Sequence, residues 1–209
     1  KNSPFLMRKP LAHIITSRGC PNNCIFCAVR AAWGRRWIAR SAKNVVDEIE
    51  HLYDLGYREI HFNDDNCSVN KTRMYEICND ILSRDIDIKI ACPTGIHINT
   101  LDKDLLTLMK EAGFYRLCFG IETGNQEMQY KIKKNLNLDK AKKVIRTANK
   151  LGYWTAATFI VGFSGETKEQ LNDTFEFAKE SELDFPIYYN LQIQAGTELW
   201  NLTHNIKTS

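Results

Sequence analysis

Leu11-Ala12-His13-Ile14-Ile15-Thr16-Ser17-Arg18-Gly19-Cys20-Pro21-Asn22-Asn23-Cys24-Ile25-Phe26-Cys27 joins a short apolar run to a loop dense in cysteine. Residues 11–15 read as a strand. Polar Thr16, Ser17 and Arg18 end it, and Gly19 turns the chain into the cysteines. A strand that delivers its C-terminal end into a reactive loop is one half of a βα unit, and the sequence downstream repeats that unit.

Ser41 is placed to cap a helix that runs to Leu55, with Val45, Ile49 and Leu52 on one face. Gly56 ends it. Residues 58–62 form the next strand, which stops at Asn63-Asp64-Asp65-Asn66. A helix over 70–83 precedes a strand over 87–92. A helix over 101–112, with Leu105, Met109 and Ala112 inward, precedes a strand over 115–119. That strand ends in Gly120-Ile121-Glu122-Thr123-Gly124. Helical spacing covers 126–133 and 138–151, where Ala141, Val144, Ala148 and Leu151 share a face. Residues 155–161 form the fifth strand, closed by Gly162. Thr167-Lys168-Glu169-Gln170 reads as a capping box for a helix to Ser181, with Leu171, Phe175 and Ala178 on its apolar side. The last strand covers 186–191, with Pro186 at its start, and Gln192 and Gln194 follow it.

These six strand–helix cycles, the last without its helix, predict an α/β fold with parallel strands under helices. An open doubly wound sheet and a barrel both satisfy the pattern. Polar, glycine-rich or cysteine-rich stretches follow strands one, two, four, five and six. In a barrel those ends meet at one site; in an open sheet only the strands at the switch point do. Six units are too few to close a barrel of eight, so the expectation is an arc with a lateral opening.

The chain has 209 residues, 44% hydrophobic and 25% charged, the composition of a globular protein with a sizeable core. The net charge of +3 is too weak to predict a nucleic-acid partner, and the lysines at 131, 133, 134, 142 and 143 read first as solvated helix faces. No apolar run approaches the ~20 residues of a membrane helix, and no secretory signal is visible. A cytoplasmic location is expected. The chain starts at Lys1 and is read as a catalytic core over 1–209, a segment of something longer, with 1–10 as a leading segment or linker.

Of seven cysteines, Cys67, Cys78, Cys92 and Cys118 are scattered and behave as small hydrophobes. Cys20, Cys24 and Cys27 have the spacing C-x3-C-x2-C, with polar Asn22 and Asn23 arguing for an exposed turn. Zinc wants four ligands, with a fourth from His13, Cys67 or Cys118. An iron–sulfur cubane on three cysteines keeps one iron open to a ligand, which suits an enzyme better than an electron carrier or redox sensor.

The spacing, with Phe26 before the last cysteine, resembles the signature of the radical S-adenosylmethionine superfamily. The resemblance implies a partial (β/α)6 barrel with parallel strands. It also implies a [4Fe–4S] cluster on Cys20, Cys24 and Cys27, and S-adenosylmethionine cleaved to a 5′-deoxyadenosyl radical. Thr16-Ser17-Arg18-Gly19-Cys20-Pro21, Gly34-Arg35-Arg36-Trp37, Phe119-Gly120-Ile121-Glu122-Thr123-Gly124 and Gly162-Phe163-Ser164-Gly165-Glu166-Thr167 resemble the cobalamin-binding branch. That branch implies a cobalamin domain outside this chain and methyl transfer as the reaction. Ring formation or rearrangement and methylthio transfer are its alternatives. The strand-two motif common in the family is Gly-Gly-Glu, where this chain has Asn63-Asp64-Asp65, and Ala195 stands where the branch often has Pro.

By the same resemblance Phe26 packs near the adenine, and Asp65 accepts from the ammonium of S-adenosylmethionine. Glu122 faces the nucleoside or amino group, and Lys134 meets the carboxylate. Val161 and Gly162 offer backbone and apolar contacts to adenine. The glycines flanking Glu122 leave room for close approach of backbone to ligand. Gln192 and Gln194 would line the substrate side. Trp33, Arg35, Arg36 and Arg40 would cover the cluster, bind another domain or form a surface loop. The implied partners are a small-molecule substrate and a reductant such as flavodoxin or ferredoxin. The electron-carrier alternative gives no reason for Glu122, Lys134 or the six-unit layout.

Overall fold

The computed structural model describes residues 6–204. Six strands form one parallel sheet in simple sequential order: β1 (Leu11–Ile14), β4 (Glu59–Phe62), β5 (Lys89–Ile96), β6 (Phe114–Glu122), β7 (Trp154–Val161) and β8 (Phe185–Asn190). β1 and β8 are its two edges, so the arc is not closed. The helices between them are α2 (Ala42–Asp54), α3 (Lys71–Ser83), α4 (Lys103–Glu111), α5 (Gln126–Lys131), α6 (Leu138–Lys150) and α7 (Lys168–Glu180).

Short polar side chains start these helices where the sequence places them. Ser41, Asn70, Asp102 and Asn137 each accept from a backbone N–H in the first turn, and Thr167 forms a reciprocal capping box with Gln170. The apolar faces of α2, α3, α4 and α6 cover the sheet, and Phe62, Phe114, Phe119 and Phe159 fill the space between. Of the leading segment expected over 1–10, residues 1–5 lie outside the described residues. The rest is docked: Met7 and Arg8 donate their amide N–H groups to Glu59 Oε2, each at 2.8 Å.

Three expectations are corrected. The third strand runs to Ile96 rather than Cys92, because a register shift against β6 between Cys92 and Ile96 absorbs Pro93, which cannot donate to a ladder. The buried face of α7 is Thr174, Phe177 and Ala178; Phe175 is 43% exposed and packs on Tyr188 of β8 instead. The last cycle does have a helix, α8 (Glu198–Thr203). Between the cysteines and α2 lie a short helix α1 (Val29–Trp33) and an antiparallel pair, β2 (Ser17–Gly19) with β3 (Trp37–Ala39). A side chain at Gly19 would meet Arg36 O at 2.2 Å, so the pair closes only with glycine there.

Candidate active site

Residues at the C-terminal ends of β4, β5 and β6, with Thr158 of β7 and the cysteine loop that follows β2, line a cavity of about 280 Å³. Cys20, Cys24 and Cys27 line it from one side; Asp65, Asn66, Thr94, His97, Glu122, Lys134 and Thr158 line the others. A second cavity of about 450 Å³, lined by Arg30, Lys133 and Glu198, shares Cys24 and Cys27.

The cysteine loop is held from below and from the side. Ile25 N donates to Ile132 O at 3.1 Å, and Leu199 N donates to Ile25 O at 2.9 Å, so the loop is threaded between α5 and α8. Ile25 itself sits in a small apolar cluster with Met128, Ile132, Phe163 and Leu199, on which Phe26 and Ile160 pack. Asn22 and Asn23 are half-buried rather than exposed.

Asp64 is a structural anchor. It is buried and accepts from Thr16 N at 2.7 Å, Thr16 Oγ1 at 2.6 Å and the Ser17 hydroxyl, tying the start of the cysteine loop to the end of β4. Asp65, its exposed neighbour, lines the cavity and takes the Gly19 N–H on Oδ2 at 2.7 Å. Sequence reasoning missed Asn66, whose Nδ2 points an N–H at Cys20 Sγ from 3.8 Å. Hydrogen bonds to ligand sulfurs are one means by which proteins tune a cluster's potential.

Glu122 ends β6 in an uncommon conformation. Its φ is +71°, in the left-handed region that a glutamate seldom enters, and the β6–β7 register shifts between Gly120 and Glu122. The bulge sets the carboxylate against Lys134 Nζ at 3.2 Å and the Thr158 hydroxyl at 3.4 Å. Gly120 makes the room: a Cβ there would lie 2.7 Å from Glu122 Oε1 and 2.9 Å from Lys134 Nζ. The other flanking glycine serves packing, since a Cβ at Gly124 would meet α7 backbone at Asp173 and Thr174, each at 2.7 Å.

The three neighbouring lysines point to different partners. Lys131 Nζ donates to Ser164 O and Lys133 Nζ pairs with Glu198, which leaves Lys134 turned into the cavity. Burial alone would lower the Lys134 pKa, but Glu122 and the Cys24 and Cys20 sulfurs outweigh it and raise it, so the ammonium is retained. Gln129, also missed, holds the arrangement. It is fully buried, donates from Nε2 to Ile121 O at 2.8 Å and to Thr123 O at 2.7 Å, and accepts Leu136 N at 3.2 Å. A glutamine inside the apolar spacing Met128-x-x-x-Ile132 was the only trace of this in the sequence.

Val161 and Gly162 lie at the end of β7, outside the cavity lining. Val161 O accepts Leu191 N at 2.9 Å, and Gly162 N donates to Glu166 Oε2 at 2.8 Å. Gln192 and Gln194 are exposed and outside the lining too. Arg40 is spent on Asn44, Glu48 and Ile15 O, whereas Arg35 and Arg36 are exposed.

The donors fit an iron–sulfur cubane. Burial pushes the Cys24 thiol up to about 11 and raises Cys27 as well, with Lys134 pulling both back; bound iron would supply the charge that makes them thiolates. The other four cysteines are buried and none lines the cavity, Cys67 lying 3.8 Å from Cys92. Among the described residues no three His, Cys, Asp or Glu side chains, Cys20, Cys24 and Cys27 included, come together as donors to a single metal ion; a cubane instead spreads three thiolates over three irons.

A chain with this fold and cavity belongs to the radical S-adenosylmethionine superfamily, whose family model matches residues 14–178. Membership implies a [4Fe–4S] cluster and S-adenosylmethionine. The chain is 33% identical over 192 residues to an uncharacterised methyltransferase of Pyrococcus horikoshii, covering 91% of this chain and 41% of that one. It is 31% identical over 205 residues to cytidylyl-2-hydroxyethylphosphonate methyltransferase of Streptomyces wedmorensis, covering 94% and 38%. Among solved structures it resembles the radical S-adenosylmethionine methyltransferase TsrM of Kitasatospora setae, with cobalamin and a [4Fe–4S] cluster bound. There the TM-score is 0.83 at 20% identity, covering 90% of this chain and 36% of that one. The chain thus spans about two fifths of the length of the curated relatives it matches. No helix of the described residues is long and apolar enough to cross a membrane.

Proposed function

We propose that this chain is the S-adenosylmethionine-cleaving core of a cobalamin-dependent methyltransferase. The observation that carries the cleavage is the placement of Cys20, Cys24 and Cys27 in one cavity with the Glu122–Lys134 pair. Cys20, Cys24 and Cys27 would hold a [4Fe–4S] cluster, which when bound would supply the electron that reduces the sulfonium of S-adenosylmethionine. The chain's own part is to bind and orient. Glu122 accepts from the ammonium, Lys134 donates to the carboxylate, and Asp65 and Phe26 bound the same cavity. Val161 and Gly162 lie outside this lining and would meet the adenine only where it extends from the cavity to the end of β7. Methyl transfer is supported by the names of the curated relatives, and cobalamin by the ligands of TsrM.

A flanking domain of the same protein would hold the cobalamin. Its need is supported by β8, whose Phe185, Tyr188 and Tyr189 are 41%, 39% and 53% exposed on an open sheet edge. A flavodoxin or ferredoxin would supply electrons, and seven free cysteines suit the reducing cytoplasm.

Iron and sulfide counts on the anaerobically reconstituted chain and on the single Cys20→Ala, Cys24→Ala and Cys27→Ala variants test the cluster. An intact cubane in all three variants refutes it. The methyl-transfer reading is tested on the full-length protein with cobalamin, by the ratio of 5′-deoxyadenosine and S-adenosylhomocysteine to methylated product. Efficient coupled turnover by residues 1–209 alone sinks the flanking-domain and cobalamin assignments.

A further inference from the structure

One polar atom buried in the cavity wall has no protein partner. His97 follows β5, between Ile96 and Ile98, each only 2% exposed. Its backbone is fixed: its N–H donates to Ser68 Oγ at 3.3 Å, and its C=O accepts Thr100 Oγ1 at 2.7 Å. His97 is one of the residues lining the cavity shared by the three cysteines, Glu122 and Lys134, and its Nε2 is buried in the wall without a hydrogen bond. Burial, with help from the nearby Lys134 and Lys140 charges, lowers the pKa to about 4, so the ring is neutral at physiological pH.

A leucine or phenylalanine would fill this position without stranding a polar atom. Native proteins rarely leave such an atom unsatisfied unless a ligand, an ion or an ordered water completes it. The neighbours narrow the ligand atom. Glu122 already answers the positive charge of an amino-acid ligand, so a neutral imidazole beside a lysine is suited to an oxygen.

We propose that His97 is a binding residue for S-adenosylmethionine, its Nε2 hydrogen-bonding a carboxylate or ribose oxygen of that ligand. The inference rests on the assignment of this cavity as the S-adenosylmethionine site. It predicts opposite effects on affinity and stability. Removing the orphaned nitrogen relieves an unsatisfied group in the free protein while removing a contact in the complex.

The experiment is equilibrium dialysis of S-adenosylmethionine against the reconstituted chain, with iron content and thermal midpoint measured alongside. His97→Leu should bind about tenfold more weakly, the loss of one hydrogen bond's worth of affinity, with iron content unchanged and a midpoint equal to or above wild type. His97→Gln, which keeps an amide donor, should recover most of the affinity. Methionine and 5′-deoxyadenosine titrated separately locate the oxygen, because the His97→Leu penalty follows the carboxylate fragment or the ribose fragment. Wild-type affinity in His97→Leu, with binding weakened in Glu122→Ala, overturns the His97 assignment alone. Equal affinity in wild type, His97→Leu and Glu122→Ala overturns the cavity assignment and the His97 contact together.

Discussion

The molecule has two apolar clusters of unequal size, and they do different work. The larger runs from Ile14 to Ala178 and packs the helices against β1, β4, β5, β6 and β7. The smaller contains Ile25, Met128, Ile132, Phe163 and Leu199, and supports the loop that carries the cysteines. A large core can hold the fold without any cofactor, since burial scales with apolar area. The small cluster contributes far less area, but it packs beneath Ile25 and Phe26, between Cys24 and Cys27. Stability and cofactor retention should therefore respond to different substitutions.

The largest expected effects separate the two. Phe114→Ala, in the main core, should destabilise the fold by about 3–5 kcal/mol while leaving the iron bound per folded chain unchanged. Met128→Ala, in the small cluster, should destabilise by about 2 kcal/mol or somewhat more, yet lower the iron retained after gel filtration. Denaturant unfolding and iron analysis on the same samples measure both. Equal iron retention in the two variants would erase the distinction.

A smaller effect sharpens the comparison at one residue. Gln129 sits between the clusters and spans the β6 bulge on both sides of Glu122. Gln129→Leu keeps the volume but leaves Ile121 O, Thr123 O and Leu136 N without their partner, an expected loss of about 1–3 kcal/mol. Because the bulge aims Glu122, affinity for S-adenosylmethionine should fall too, with iron content intact. A variant that loses stability but binds normally would confine Gln129 to a structural role.

The two regions also differed in how far the sequence disclosed them. The main core was legible because helix caps and apolar faces are local signals: Ser41, Asn70 and the Thr167–Gln170 box lie where capping chemistry puts them. The cysteines were legible by spacing. The floor beneath them was not, because Ile25, Ile132 and Leu199 are brought together by strand order and not by proximity in the chain. Phe175 misled for a related reason. Its place on α7 is decided by β8, an open edge that offers Tyr188 as a partner outside the core. That Asp64 is consumed internally needed the fold as well, since only Thr16 and Ser17, arriving from β1, show it. His97 was invisible because the strand before it runs through a proline and a register shift.

The smallest effect is silent at neutral pH and belongs to the end of the sheet away from the cavity. Glu59 is fully buried at the start of β4, where its carboxylate accepts from Met7 N, Arg8 N, the Tyr115 hydroxyl and His61 Nε2. Burial alone would raise its pKa, but these donors outweigh burial and hold it below the usual value of 4.5. For His61 burial is the largest influence and the net direction is downward from 6.5, so the ring is neutral in the fold although Glu59 pulls the other way. The signs agree. A depressed carboxylate contributes stability that is complete above its unfolded pKa and disappears as pH falls through the folded one. A depressed histidine likewise loses its contribution as pH falls below 6.5, because the unfolded chain takes the proton first. Stability should thus begin to decline just below pH 6.5 and decline further below about 4.5. Glu59→Gln should flatten the lower limb and, by removing the group that pulls the His61 pKa upward, deepen the upper one, measured as urea midpoints across that range. Because this network tethers Met7 and Arg8 and touches neither apolar cluster's supports for the cysteines, iron content should stay constant until the fold itself is lost. A lower limb unchanged by Glu59→Gln would show that other carboxylates govern the acid transition.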